Sequence, residues 1–70
     1  MNKKKEIEII WLKYNNYKKT AEQHAFVQLL LFDRFLIPAY NDLQRNWNET
    51  HANVFIKSVK EKVFPKLGLK

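Results

Sequence analysis

Between Ala25 and Ile37 the chain reads AFVQLLLFDRFLI, with ten of thirteen positions apolar, and the rest of the hydrophobic pattern is arranged around this stretch. At about 100° per residue, Asp33 and Arg34 share a narrow polar sector with Glu22 and Gln23, and most of the remaining circumference is apolar. A helix of that kind is normally wrapped by other helices. In so short a chain a second copy or a partner is an alternative cover. Thr20 is placed to cap its start, with Gln23 three positions on as the reciprocal partner. Pro38 should end it, because the residue before a proline is pushed out of helical geometry. The expected helix therefore covers about residues 21–37.

Two further helices follow from the same periodicity. Ile7, Ile10, Trp11, Tyr14 and Tyr17 fall on one face of a helix over about residues 3–18, with Ile9 and Leu12 forming a second, smaller apolar strip. Glu6 and Glu8 near its start and Lys18 near its end suit the helix dipole. Asn48 is a good cap for a helix over about residues 49–63, in which Ala52, Phe55, Ile56, Val59 and Val63 share a face and Lys57, Lys60, Glu61 and Lys62 cover the rest. Pro65 should close that helix as Pro38 closes the one before. The intervening residues, about 39–46, read either as a short helix opened by Pro38 and carrying Tyr40 and Leu43 or as an ordered loop. The fold class expected is all-α, a small three-helix bundle with a short fourth helical turn as an option.

Helices two and three echo each other at a spacing of 27 residues. Glu22, His24, Ala25, Val27 and Pro38 superpose on Glu49, His51, Ala52, Val54 and Pro65, and Leu36 and Ile37 on Val63 and Phe64. Either a duplication or shared start and stop chemistry produces this, and both imply two antiparallel or crossed helices of similar length.

Length makes the core a concern. Seventy residues form one small domain, of a size that buries only about 60% of its unfolded surface and draws roughly 3–5 kcal/mol from its core. Without cysteine there is neither a disulfide nor a thiolate metal site to add to that. Homodimerisation is the remaining common device, and Trp11, Tyr14, Phe32 and Phe35 on helices one and two are the candidate interface residues. No stretch approaches the roughly 20 apolar residues of a membrane span. Glu6 and Glu8 directly after Lys3-Lys4-Lys5 argue against a signal peptide, so a cytoplasmic location is expected.

The net charge of +6 is concentrated at the two ends. Six lysines against Glu6 and Glu8 leave residues 1–19 at +4; five lysines against Glu61 leave residues 57–70 at +4. Arg34 and Arg45 against four carboxylates leave the middle at −2. Ends that meet in space would form one positive surface suited to phosphate; a Lys-rich solvated surface is the plain alternative. Catalytic constellations are not expected. His24 and His51 lack companions at metal-ligand spacing, Ser58 lies among lysines with no adjacent base, and Gly68 is the single glycine, so no phosphate loop forms. Neither enzymatic activity nor a cofactor is predicted.

One stretch carries a family resemblance. Trp47-Asn48-Glu49-Thr50-His51-Ala52, followed by Val63-Phe64-Pro65-Lys66-Leu67-Gly68, resembles the opening helix of the core-binding domain of prophage-type integrases of the tyrosine-recombinase family. The likeness covers residues 47–68. It implies a phage or mobile-element origin and a helical bundle that clamps DNA. Phosphate contacts would then come from Lys57, Lys60, Lys62 and Lys66, with Phe55, Ile56 and Val59 in the bundle core. Strand cleavage in that family needs paired arginines and a tyrosine nucleophile in a separate catalytic domain, so recombination is not expected of these residues alone. The functional expectation is a basic, non-catalytic DNA-binding module, with a helical protein-interaction module, as homodimer or as inhibitor or adaptor of a larger protein, as the alternative.

Overall fold

The computed structural model describes residues 2–69. Among them every regular element is helical. α1 spans Lys3–Thr20, α2 spans Phe26–Arg45 after a single 3₁₀ turn over Gln23–Ala25, and α3 spans Glu49–Ser58. From Ser58 the helix widens into a π-turn, Val59–Val63, and closes with a last turn, α4, at Phe64–Leu67. α2 runs antiparallel to α1, as the pairs Lys4–Trp47, Trp11–Tyr40 and Lys18–Asp33 require. α3 returns antiparallel to α2 and packs against both of its neighbours. The long axis of 34 Å is set by α2, whose 20 residues at 1.5 Å each span about 30 Å.

Helix starts follow the capping chemistry closely. Asn48 Oδ1 accepts from His51 N at 2.9 Å, as expected of a cap, and Asn2 does the same for Lys5 N at 2.8 Å, satisfying donors that the first turn leaves free. The start of α2 corrects the expectation. Thr20 belongs to the last turn of α1, where its hydroxyl donates to the Tyr17 carbonyl at 3.3 Å. Ala21 and Glu22 are extended, and the chain enters α2 through the 3₁₀ turn without a side-chain cap. Two weak helix formers, Asn15 and Asn16, do not end α1, and Asn15 Nδ2 donates back to the Trp11 carbonyl at 2.9 Å.

Neither proline stops its helix. α2 continues through Pro38 to Arg45, so the segment at 39–46 is the second half of one rod. Proline in a helix interior costs about 3 kcal/mol, since the ladder loses a donor and the ring crowds the preceding turn. What lies beyond Pro38 offsets this. Leu43 is buried, Tyr40 stacks on Trp11 with ring centroids 4.4 Å apart, and both rings lean on Phe55 at 6.1–6.3 Å. At Pro65 the device is different. The π-turn advances the register so that the adjacent Val63 and Phe64 both turn inward, and Pro65 falls in the first turn of α4, where a missing N–H is harmless. Gly68, at φ +75°, closes the helix in the left-handed region. Its N–H donates to the Pro65 carbonyl and that of Leu69 to the Phe64 carbonyl, at 3.2 and 2.8 Å.

The 27-residue correspondence extends to burial at several pairs but not at the close. Ala25 and Ala52, and Leu36 and Val63, are buried, and Val27 and Val54 are exposed, but Ile37 is exposed where Phe64 is buried. The helical runs Phe26–Arg45 and Glu49–Leu67 are antiparallel and of similar length.

The core is one cluster: Ile7, Ile10 and Tyr14 from α1, Ala25, Leu29, Leu36 and Leu43 from the second run, and Ala52, Phe55, Val59, Val63 and Phe64 from the third. At its edge sits a polar pin. The Tyr14 hydroxyl donates to Asp33 Oδ1 at 2.6 Å while Lys18 Nζ donates to Oδ2 at 2.9 Å. Burial first, then the Asp33 carboxylate, holds the Tyr14 phenol well above its ordinary pKa. No buried side-chain polar atom among the described residues lacks a partner.

Candidate interaction surface

α2 is not wrapped. Its inward edge is a seven-residue repeat, Leu29, Leu36 and Leu43, each at most 4% exposed and flanked by partly buried Phe32, Ala39 and Tyr40. The expectation that the chain itself covers this helix most of the way round is therefore corrected. On the half turned outward, Phe26, Val27, Leu30, Leu31, Phe35 and Ile37 remain 39–70% exposed. Two helices can cover only two flanks of a third, and 70 residues supply no fourth rod.

The polar sector expected on this helix is also split. Glu22 and Gln23 lie before α2, outside its wheel. Asp33 turns toward α1, where Tyr14 and Lys18 hold it, and Arg34, one position and about 100° further on, is exposed among the outward apolar residues. Arg34 is thus the one charged side chain on the outward half between Phe26 and Ile37.

The four expected interface residues separate on inspection. Tyr14 is 0% exposed and belongs to the protomer's core, so it contributes no contact surface. Trp11 and Phe32 pack against that core and are partly buried; Trp11 is held between Tyr14 and Tyr40 at 5.5 and 4.4 Å. Phe35 alone lies on the bare face, 59% exposed. It also borders a shallow apolar groove between α2 and α3, lined by Ala39, Leu43, Val54 and Phe55 with Asp42 and His51 at one end. Residues that the pattern missed, Val27, Leu30 and Leu31, form the centre of the face. Their signal was present in the excess of apolar positions over what one seam can bury. Ile9 and Leu12, the second strip on α1, are exposed on the far side of that helix at 46% and 61%.

The lysines divide in a similar way. The two basic ends do adjoin, because α1 and α3 pack together, but several of their charges are engaged. Lys3 pairs with Glu49 at 2.9 Å and Lys60 with Glu6 at 2.6 Å. Hydrogen bonding and charge from Lys3 hold the fully exposed Glu49 carboxyl below its usual pKa. Lys4 lies over Trp47 and Lys13 over Phe64, at 5.2 and 5.0 Å. Of the four expected phosphate contacts, Lys60 is thus committed to α1. Lys57, Lys62 and Lys66 are exposed with no ion pair among the described residues. The two histidines stand apart: His24 lies 3.3 Å from Glu22, His51 3.9 Å from Asp42, all four side chains exposed. Among the described residues no helix is long and apolar enough to cross a membrane.

No family model, curated protein or solved structure matches this chain.

Proposed function

We propose that this chain is a small helical protein-interaction module whose contact surface is the outward half of α2. The observation that carries it is the set of six large apolar side chains left bare on three consecutive turns of one helix. Scattered exposed leucines need no explanation, but a contiguous apolar patch interrupted by a single charge is the mark of a surface that is covered in use. The frame beneath it is suited to present that surface, because the Leu29–Leu36–Leu43 seam fixes the rotation of the rod. The Tyr14–Asp33–Lys18 pin fixes its position against α1.

A photo-crosslinking amino acid placed at Leu31 and, as a control, at Glu61 tests this in cells expressing the chain. Adducts confined to position 31 are expected. Equal labelling at both positions, or none at 31, contradicts the reading.

A second reading, DNA binding, is favoured by Lys57, Lys62 and Lys66, three exposed cations with no ion pair among the described residues, on the segment that resembles the integrase opening helix. Binding of that kind would be largely phosphate-directed and would weaken steeply with salt. Changing all three lysines to Glu should abolish retardation of a random duplex at low salt. Absence of any retardation by the unaltered chain would exclude the reading.

A further inference from the structure

Resting on the interaction reading, we infer that the occupant of the outward face of α2 is a second copy of this chain, seated antiparallel about a two-fold axis between Leu30 and Leu31. Three observations point to it. The first is area. Taking about 200 Å² for a large apolar residue, the five bare side chains between Phe26 and Phe35 expose about 600 Å² together. Two copies would then bury about 1,200 Å², the lower end of the range for a specific, stable interface. The accessible surface agrees, for 5186 Å² exceeds the roughly 4,700 Å² expected of a folded monomer of 8.5 kDa.

The second is self-complementarity. An isologous contact needs a patch that matches itself when reversed. Turned about a point between Leu30 and Leu31, α2 sets Leu30 against Leu31, Phe26 level with Phe35 and Val27 level with Arg34. The two copies of α2 overlap over residues 26–35, about 15 Å, with Val27, Leu30 and Leu31 at the centre of the contact and Phe26 and Phe35 on its two flanks.

The third is charge. A parallel pair would bring the two Arg34 side chains together inside an apolar seam. In the antiparallel pair they stand seven positions, about 10 Å, apart, each level with Val27 of the other copy. Lys18, which borders the face beside Phe26 and Leu30, is neutralised by Asp33, so a chain of net charge +6 can associate through this face without setting that lysine against its copy as a free charge.

Because the chain has no cysteine, single substitutions report the geometry directly. Under mild oxidation Leu30→Cys and Leu31→Cys should each give a disulfide-linked dimer. Phe26→Cys should not, since its copies lie about 13 Å apart along the axis, nor should Phe26→Cys mixed with Phe35→Cys, which are level but on opposite flanks of the seam, both beyond disulfide reach. Sedimentation over a dilution series should show twice the chain mass at high concentration, and Leu31→Glu, with helicity retained by circular dichroism, should weaken association at least tenfold. Cross-linking of Phe26→Cys to itself in preference to Leu31→Cys overturns the antiparallel arrangement. A monomer at every concentration overturns the second copy altogether. If Leu31 then cross-links a different protein in cells, the interaction reading stands without this inference; if it cross-links nothing, both fall.

Discussion

Leu36 and Leu30 sit on the same helix, less than two turns apart, and one is 0% exposed while the other is 64%. The inward edge of α2 is chosen by α1 and α3, which between them can cover only one side of a rod. The outward edge has the same residue types and no cover. Composition therefore says that a helix is apolar all round but not how many of its sides its own chain can reach, and the deficit marks where association is to be sought.

The difference is sharpest in substitution. Leu36→Ala should destabilise the protomer by about 2–5 kcal/mol, through lost burial and the cavity left behind, which approaches the whole stability of a domain this size. Leu30→Ala should change protomer stability by no more than about 0.5 kcal/mol. Urea denaturation at a concentration where the chain is monomeric checks both, and equal effects would erase the distinction between the two faces.

Pro38 tests whether the rod is continuous for its own sake or held straight by its contacts. If Tyr40 and Leu43 carry it through the proline, Pro38→Ala should stabilise the fold by up to about 3 kcal/mol. A loss of stability on the same substitution would mean that the proline is needed where it stands.

The Tyr14 pin anchors the covered side. Tyr14→Phe removes a hydrogen bond to a carboxylate and should cost about 1.5–3 kcal/mol near neutral pH. Its pH dependence has a definite sign. With the folded-state pKa raised above the unfolded value near 10, the contribution is complete below that value and is lost as pH rises above it. Above about pH 10 the unaltered chain should therefore lose stability relative to Tyr14→Phe by up to ~1.4 kcal/mol per pH unit. Parallel pH profiles of the two would show that the phenol titrates normally.

At the helix starts a modest loss is expected: Asn48→Ala should cost about 1 kcal/mol by thermal melting. The Asn48 cap was legible because a cap needs only its own next three residues, whereas the cap expected at Thr20 failed because α1 runs on through that residue. The faces of α1 and α3 were legible for a related reason, because their apolar residues repeat at one period and have one place to go. The two prolines were misread because their local preference is outweighed by rings and leucines contributed by other helices, or evaded by a π-turn, and neither is visible in a local window. The candidate surface was legible only in part. Phe35 belongs to it, but Tyr14 does not, because an aromatic on an amphipathic face serves a core or an interface equally well until the neighbouring helix is in place. Which half of α2 stays bare depends on where Asp33 finds Tyr14 and Lys18, and that is a tertiary fact.

The two faces can be read together by thiol labelling, since a cysteine introduced at position 30 or 36 is the chain's only one. In dilute solution Leu30→Cys should react at close to the rate of a free thiol and Leu36→Cys more slowly, by the factor that the variant's own unfolding free energy sets. On raising the protein concentration, position 30 should become protected, as association covers it. Equal rates at both positions in dilute solution, or a position 30 that stays open at every concentration, would contradict the account.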